Sequence, residues 1–410
     1  MQLNLTKLPL NKAGSLFLRM SAMGSKFLIF TFLSKYFTES TYGVYSLIST
    51  TVTIAIFVLG FDFYNYAIRD ILLNPVDKAS KVSTSIALYI AIYLVYILVG
   101  YMFFSQVDYL SDFVTLVLFI SISEHINQEL YRLLLAFKKV LVANWFLFLR
   151  VAGWTMWVLF QIFVQNKQVS LKDILLTWLF FNVSILVLTI IWFNPYIRKH
   201  ASTVQLKGKW LIQGLKISVI FYVTTLALKV IEYSNRYVVE AVLEEVSAGI
   251  FSFYSNISMV IGIYISTIVV SYELPDLIES SRNNTFDAKL QRFKKLLIRH
   301  SSVAFFIVLI AIYPVLLWQG KASFAEYWPL IIFLNGGAFL MNVSLVYHSY
   351  LYIMHREKKL LEIVLISSVI NILATFVFSY FFGLMGAGIA FLITGIVIFV
   401  LRKVAVKKKI

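Results

Sequence analysis

Six basic residues lie inside apolar stretches that are long enough to cross a membrane: Arg19, Lys26, Arg150, Lys216, Lys229 and Arg236. A cation at the centre of a bilayer costs roughly 2.5 to 3.5 kcal/mol, so such residues usually face water or other protein groups. The acidic residues at similar depth are fewer, namely Glu124, Glu129 and Glu232. This excess of positive charge predicts that the interior of the protein handles an anion.

The spacing of four of these cations places them in two pairs. Arg19 and Lys26 are seven residues apart, so they share one face of a helix, two turns from each other. Lys229 and Arg236 repeat this spacing, and Glu232 lies between them. Several such cations could hold a pyrophosphate through charge-assisted hydrogen bonds. We therefore interpret all six cations as candidate substrate-binding residues, and we expect no catalytic residue, no metal ligand and no cofactor.

Each cation also has a structural alternative. Three of them are within two turns of the end of an apolar span, where long side chains can snorkel to the interface: Arg19, Lys216 and Arg236. The alternative for the other three is an ion pair with one of the acidic residues at the same depth: Lys26, Arg150 and Lys229.

Two adjacent polar stripes run along the fourth apolar span. One contains Glu124, Asn127, Gln128 and Tyr131, and the other contains His125, Glu129 and Arg132. Such a face cannot lie against lipid, because unsatisfied polar groups are costly in hydrocarbon. The candidates for coupling or gating are Glu124, His125, Glu129 and, on the seventh span, Glu232, since carboxyl and imidazole groups can exchange protons. The alternative is a buried network that pairs helices with one another.

Composition identifies the class of protein that must position these residues. The chain has 410 residues, of which 60% are hydrophobic and 14% charged, whereas a soluble domain averages about 25% charged residues. Apolar runs of the length that a bilayer requires of a helix recur along the chain. We place twelve spans near residues 14–36, 42–64, 82–104, 113–136, 140–164, 173–194, 210–238, 248–271, 299–318, 328–350, 360–381 and 386–402. The sequence thus predicts an all-α polytopic membrane protein.

Lys and Arg cluster in every second connection between these spans, as in 132–139 and 289–299, and in both terminal tails. Basic connections remain on the cytoplasmic side, which predicts that both termini are cytoplasmic. The net charge of +16 is therefore mainly a topology signal, with some attraction to anionic lipid headgroups. We expect membrane lipids as partners and no nucleic acid.

A short motif occurs twice, half a chain length apart. Residues 39–46 and 245–252 both contain Glu-x-x-x-Gly-x-(Tyr or Phe)-Ser at the outer end of a predicted span. This repeat predicts two six-helix bundles, 1–197 and 210–410, joined by a cytoplasmic linker at 198–209. Because six is an even number, the two copies are related by a pseudo-two-fold axis along the membrane normal, as in transporters built from parallel repeats.

Further residues accompany the two copies: Gly60 near the end of the second span, Ala67-Ile68-Arg69 after it, and Tyr233-Ser234-Asn235-Arg236-Tyr237 in the seventh. With these motifs the chain resembles the polysaccharide-unit flippases (Wzx-type, O-antigen translocases) of the multidrug/oligosaccharidyl-lipid/polysaccharide (MOP) exporter superfamily. The resemblance implies a MATE-like V-shaped pair of bundles in the bacterial inner membrane that exports an undecaprenyl-pyrophosphate-linked oligosaccharide. It also implies a monomer that works beside polymerase and chain-length proteins of the same pathway. Relatives often carry Asp where this chain has Asn235, and Glu232 is the candidate replacement.

Two other functions compete with this interpretation. A cation-coupled drug antiporter of the same superfamily predicts a net acidic cavity, which the excess of cations opposes. A membrane polysaccharide polymerase, ligase or glycosyltransferase needs a catalytic surface outside the membrane, and the outer connections are too short for one. Nucleotide-binding, metalloprotease and hydrolase motifs are absent from the sequence.

Overall fold

The computed structural model describes residues 10–74, 77–200, 205–281 and 285–406, without the side chains of 10–13, 16 and 195–200. Within these ranges the chain forms helices and turns and no β-strand, which confirms the all-α prediction. The middle of the predicted linker (201–204), Lys7, Arg282 and the basic tail Lys407-Lys408-Lys409 lie outside the described residues.

The described residues divide into two compact units. The described residues within 1–30 and 48–222 form the first unit, and those within 31–47 and 223–410 form the second. The division falls inside α1 (Leu10–Tyr36), α2 (Glu39–Gly60) and α9 (Gly208–Leu243). The predicted bundle boundaries at 197 and 210 stay a prediction.

The other helices belong to one unit each. The first unit contains α3 (Phe63–Leu73), α4 (Lys78–Phe104), α5 (Asp108–Ser111), α6 (Val114–Ala136), α7 (Val140–Phe163) and α8 (Leu171–His200). The second contains α10 (Glu245–Tyr264), a π-helical turn (Ile265–Val270), α11 (Ser271–Ser280), α12 (Phe286–Gln319), α13 (Ala322–Glu326), α14 (Leu330–Val343), α15 (Leu345–Ile353) and α16 (Glu357–Val406).

Among the described residues, nine helical segments are long and apolar enough to cross a membrane. One of them, α16, has 50 residues, which would extend about 75 Å as one helix, more than twice the hydrocarbon thickness. Its backbone breaks at Gly383, where φ is 58° and ψ is −146°, between the predicted spans 360–381 and 386–402. Helices α1 and α6 fall outside the nine, so the predicted total of twelve spans stays a prediction.

Helix α6 is the centre of the first unit, where it packs against α4, α7 and α8. Its polar stripes therefore face neighbouring helices, and His125 and Asn127 are fully or almost fully buried. Gly60 at the end of α2 leaves room for the His125 ring, because a Cβ there would lie 3.2 Å from Nε2. The polar residues that lower the hydropathy of α6 therefore lie at its contacts with neighbouring helices.

The two copies of the sequence repeat meet in the second unit. A Cβ on Gly43 would lie 2.1 Å from the carbonyl oxygen of Glu245, and a Cβ on Gly249 would lie 2.8 Å from that of Glu39. The Ser40 hydroxyl donates a hydrogen bond to Oε2 of Glu245 at 2.9 Å. The glycines of the repeat thus allow the first turns of α2 and α10 to approach backbone to backbone.

In the first unit, Asp70 on α3 binds the segment that leads into α9. Its Oδ2 lies 2.5 Å from Nζ of Lys81 and accepts a hydrogen bond from Nε1 of Trp210 at 2.9 Å. Asn74 donates to Oδ1 at 2.8 Å. Burial alone would raise the pKa of the Asp70 carboxyl, but hydrogen bonds from Lys81, Asn74 and Trp210 outweigh it and hold that pKa below its ordinary value.

We expect Asp70→Asn to lower the free energy of unfolding by about 1 to 2 kcal/mol at neutral pH, because charged hydrogen bonds are lost. A carboxyl whose pKa is lowered by folding stabilises the protein above its unfolded pKa of about 4 and loses that effect as the pH falls through its folded pKa. The difference in melting temperature between wild type and Asp70→Asn should therefore shrink as the pH falls below about 4. The exposed Asp112 provides the control Asp112→Asn, and a difference for Asp70→Asn that is independent of pH would contradict the prediction.

Candidate functional site

A buried ion pair joins α6 to α7 in the first unit. Nη1 of Arg150 lies 2.7 Å from Oε2 of Glu124, and the same nitrogen donates to the Glu124 carbonyl oxygen at 3.2 Å. The other carboxylate oxygen accepts hydrogen bonds from Nε1 of Trp178 at 2.7 Å and from Nδ2 of Asn182 at 3.2 Å. Both charged side chains are about nine-tenths buried, at 10% and 12% exposure.

This ion pair is the alternative to substrate binding that the sequence analysis set out for Arg150. The cavity beside its guanidinium has a volume of about 10 Å³, which holds one water molecule and not a diphosphate. Glu124 is occupied in the same way, since both of its carboxylate oxygens accept hydrogen bonds within the unit. The substrate-binding role of Arg150 and the coupling role of Glu124 stay predictions.

The second polar stripe of α6 forms a separate network. Glu129 pairs with Arg132 and accepts a hydrogen bond from the Tyr89 hydroxyl at 3.0 Å. Nε2 of His125 lies 3.8 Å from the Glu129 carboxylate, and Nδ1 of His125 shares a hydrogen bond of 2.6 Å with the Tyr93 hydroxyl. Glu129 and His125 are thus linked to each other and to α4.

An apolar cavity of about 250 Å³ adjoins this network between α3, α4 and α6. Its walls are mainly aliphatic, and five side chains with polar atoms also line it: Tyr64, Ser85, Tyr89, Tyr93 and Glu129. The Arg132 guanidinium lies 3.4 Å from the centre of the Tyr64 ring, which also lines the cavity. Glu129 is thus a candidate coupling residue that borders this cavity.

The cations on α1 and on the first part of α9 are placed differently from Arg150. Arg19, Lys26 and Lys216 are exposed side chains in the first unit. Arg19 and Lys216 form no ion pair and no hydrogen bond with any residue that the structure describes. The role of these three cations in substrate binding stays a prediction.

The cations on the second part of α9 lie in the second unit. Nζ of Lys229 is 2.6 Å from Oε2 of Glu232, which is the ion pair set out as the alternative for Lys229. Arg236 is only 2% exposed, so it does not snorkel to an interface. It donates a hydrogen bond to Oδ1 of Asn256 at 2.7 Å and lies 5.5 Å from the centre of the Tyr233 ring.

Three solved structures can be compared with this architecture. The lipid II flippase MurJ in an inward closed conformation has a TM-score of 0.76 and 14% identity, covering 97% of this chain and 87% of that one. An inward-facing multidrug resistance MATE family transporter of the MOP superfamily has a TM-score of 0.74 and 13% identity, covering 97% and 99%. A MOP superfamily transporter from Pyrococcus furiosus, described as having a binding pocket of reverse polarity, has a TM-score of 0.59 and 12% identity, covering 97% and 95%.

This chain has the MurJ and MATE fold. The likeness extends over almost the whole chain, and at this level of identity it defines the fold alone. No protein-family model and no curated protein matches the sequence.

In this chain, Asn235 makes a polar contact between α9 and α16. Its Oδ1 accepts hydrogen bonds from Nδ2 of Asn371 at 2.5 Å and from the Thr375 hydroxyl at 3.2 Å. Oδ1 of Asn371 in turn accepts from Thr394 at 3.0 Å. Glu232 is exposed and pairs with Lys229, so it does not enter the network around Asn235.

Sequence reasoning did not identify Trp178 and Asn182, which complete the Glu124 site from α8. Both lie in an apolar stretch more than fifty residues from Glu124. The only available signal was an amide inside that stretch, since a polar side chain at membrane depth needs a partner.

Proposed function

We propose that this protein is a flippase that moves an undecaprenyl-pyrophosphate-linked oligosaccharide from the cytoplasmic to the outer leaflet of the bacterial inner membrane. The observation that carries the proposal is the pair of exposed cations Arg19 and Lys216, which have no acidic partner among the described residues. Snorkelling to the interface is the alternative for both, since they lie within two turns of a span end. We expect them instead to face a water-filled cavity, because a cation that faces lipid is costly. The fold supports the proposal, because a lipid II flippase shares it.

The chemistry of the proposed substrate fits these side chains. A diphosphate offers several anionic oxygens, and Arg and Lys bind such groups through charge-assisted hydrogen bonds. Lys26 lies seven residues from Arg19 on α1 and is also exposed, so α1 presents two cations about 10 Å apart along its axis. The buried pair Arg150–Glu124 adds no net charge, which leaves the exposed cations to determine the sign of the site.

In this proposal the cations bind the diphosphate and its first sugars while the prenyl chain remains in lipid. Alternating access then exposes the same side chains to one side of the membrane and afterwards to the other. The cations have to release the substrate as well as bind it, and their solvent exposure favours release because water screens the attraction.

The test replaces Arg19, Lys26 and Lys216 together by Gln in a host strain that lacks its own flippase. We expect surface polysaccharide to fall at least about tenfold at equal protein level, since each charged hydrogen bond contributes roughly 1.5 kcal/mol or more. Lipid-linked repeat units should accumulate on the inner leaflet, which mass spectrometry and leaflet-specific lectin labelling would measure.

The matched control removes three other exposed charges with Lys167→Gln, Lys172→Gln and Lys358→Gln. This variant should keep surface polysaccharide within about twofold of wild type, because exposed charges away from a site contribute little. Equal polysaccharide from both triple variants would overturn the proposed role of the three cations.

A cation-coupled drug antiporter is the second candidate, because MATE transporters share the fold and Glu129 borders an apolar cavity. It predicts that expression raises drug resistance in a sensitive strain and that Glu129→Gln abolishes the gain. Resistance of this kind, together with surface polysaccharide that does not depend on the protein, would favour the antiporter over the flippase.

A further inference from the structure

The first turns of α12 form a basic surface that the proposed transport function does not use. Helix α12 runs without a break from Phe286 to Gln319, so these basic turns continue directly into the apolar part of the helix. Leu290, Phe293 and Leu297 are buried against the second unit. On the opposite face, Arg292, Lys295 and Arg299 are exposed.

These three cations lie about one turn apart on one face of α12 and line a shallow, open groove. The groove has a volume of about 380 Å³, and Ala288, Gln291 and Leu296 complete its walls. Lys295 and Arg299 form no ion pair and no hydrogen bond with any described residue. Arg292 is partly neutralised by Glu273 of α11, whose carboxylate lies 3.1 Å away. We name the surface formed by Arg292, Lys295 and Arg299 the basic groove.

The length of α12 places the basic groove at the depth of lipid headgroups. Trp318 lies near the other end of α12, and tryptophan favours the membrane interface. Counting back about 30 Å of hydrocarbon, at about 1.5 Å per residue, reaches the neighbourhood of Arg299. Lys295 then lies about 6 Å further out, within the headgroup layer. The predicted orientation assigns this end of α12 to the cytoplasmic side.

We infer that the basic groove binds the phosphate of an anionic phospholipid in the cytoplasmic leaflet. The groove has an excess of positive charge, because Lys295 and Arg299 have no acidic partner among the described residues. Leu296 on its wall can contact the glycerol and the first methylenes of the acyl chains. Arg292 and Lys289 connect the same segment to α11, through Glu273 and through the carbonyl oxygen of Asp276. A lipid in the groove would therefore hold the α11–α12 end of the second unit at the membrane surface.

The experiment uses the purified full chain in a zwitterionic detergent, with phosphatidylglycerol as the probe and phosphatidylethanolamine as the neutral comparison. Native mass spectrometry counts the lipids that stay bound. We expect the triple variant Arg292→Gln/Lys295→Gln/Arg299→Gln to bind phosphatidylglycerol about 30-fold more weakly, since Lys295 and Arg299 each contribute roughly fivefold and Arg292 is partly neutralised. Phosphatidylethanolamine binding should not change.

The control Lys358→Gln/Lys359→Gln/Lys403→Gln removes the same number of charges from exposed positions and should weaken phosphatidylglycerol binding less than twofold. Equal weakening by both triple variants would mean that only the overall charge of the protein matters, which would overturn the inference. An unchanged affinity for phosphatidylglycerol in the groove variant would overturn it as well. Lys295→Gln alone, a change at an exposed side chain, should give about a fivefold loss if the triple variant does not fold. The assay involves no transport, so its result is independent of the proposed substrate.

Discussion

Replacing Gly43 by Ala is expected to lower the free energy of unfolding by about 3 to 5 kcal/mol. A Cβ at this position would lie 2.1 Å from the carbonyl oxygen of Glu245 and 2.9 Å from its carbonyl carbon. Both are backbone atoms, so no side-chain rotation relieves the contact, and the first turns of α2 and α10 would have to separate. In a thermal melt in detergent, followed by tryptophan fluorescence, the midpoint should fall by about 4 to 6 °C.

Two further glycines make this a graded test. Gly249→Ala should cost less, about 1 to 3 kcal/mol, because its Cβ would meet the Glu39 carbonyl oxygen at 2.8 Å. Gly24→Ala on α1 meets nothing within 4 Å and should be neutral or stabilise by up to about 1 kcal/mol, since alanine is the better helix former. A Gly43→Ala protein that melts like the Gly24→Ala protein would show that α2 and α10 do not approach each other in this way.

Glu124→Ala is expected to cost about 3 to 5 kcal/mol, because it leaves the Arg150 guanidinium without its counter-charge in a buried site. Trp178 and Asn182 would also lose the acceptor for their N–H groups, and membrane depth makes an unpaired cation more costly still. The double variant Glu124→Leu/Arg150→Met should recover most of the loss, since apolar residues of similar volume often replace a buried ion pair at little cost. A double-mutant cycle on the melting transition measures the coupling.

The Lys229–Glu232 pair supplies the matched comparison, since the Glu232 side chain is 41% exposed. Glu232→Ala should cost less than about 1 kcal/mol, because water screens a half-exposed pair.

The same double variant of Glu124 and Arg150 also tests the predicted role of Arg150 in substrate binding. Surface polysaccharide near the wild-type level in a stable double variant would make the pair purely structural, whereas a stable protein without transport would restore Arg150 to the substrate site.

The sequence predicted some of these residues for reasons that hold locally. Hydropathy and helical spacing depend on neighbours along the chain, so the helices and the polar face of α6 could be anticipated. The alternative of an ion pair for Arg150 and Lys229 could also be stated, since a cation at membrane depth needs a partner. Choosing the partner was not possible, because Glu124, Glu129 and Glu232 are equivalent candidates until the helices are packed.

The repeat also shows that sequence patterns do not reveal which residues meet in the folded protein. The sequence located Gly43 and Gly249 at equivalent positions of two similar motifs, but the reason for glycine at both appears only when the two backbones meet. Likewise, an arginine near a span end looks like a residue that snorkels, whereas Arg236 is 2% exposed beside Asn256. Snorkelling depends on whether other helices cover the side chain, and sequence distance does not give that.

The sequence by itself determined that this protein is a helical membrane protein with an excess of cations inside its spans. Those properties follow from the cost of placing backbone and charge in hydrocarbon, which applies to each segment separately. Only the tertiary structure decided which cations are neutralised: Arg150 is buried against Glu124, while Arg19 and Lys216 remain exposed. The physical reason is that an ion pair joins residues brought together by long-range packing, and only packing determines which charges remain for a ligand.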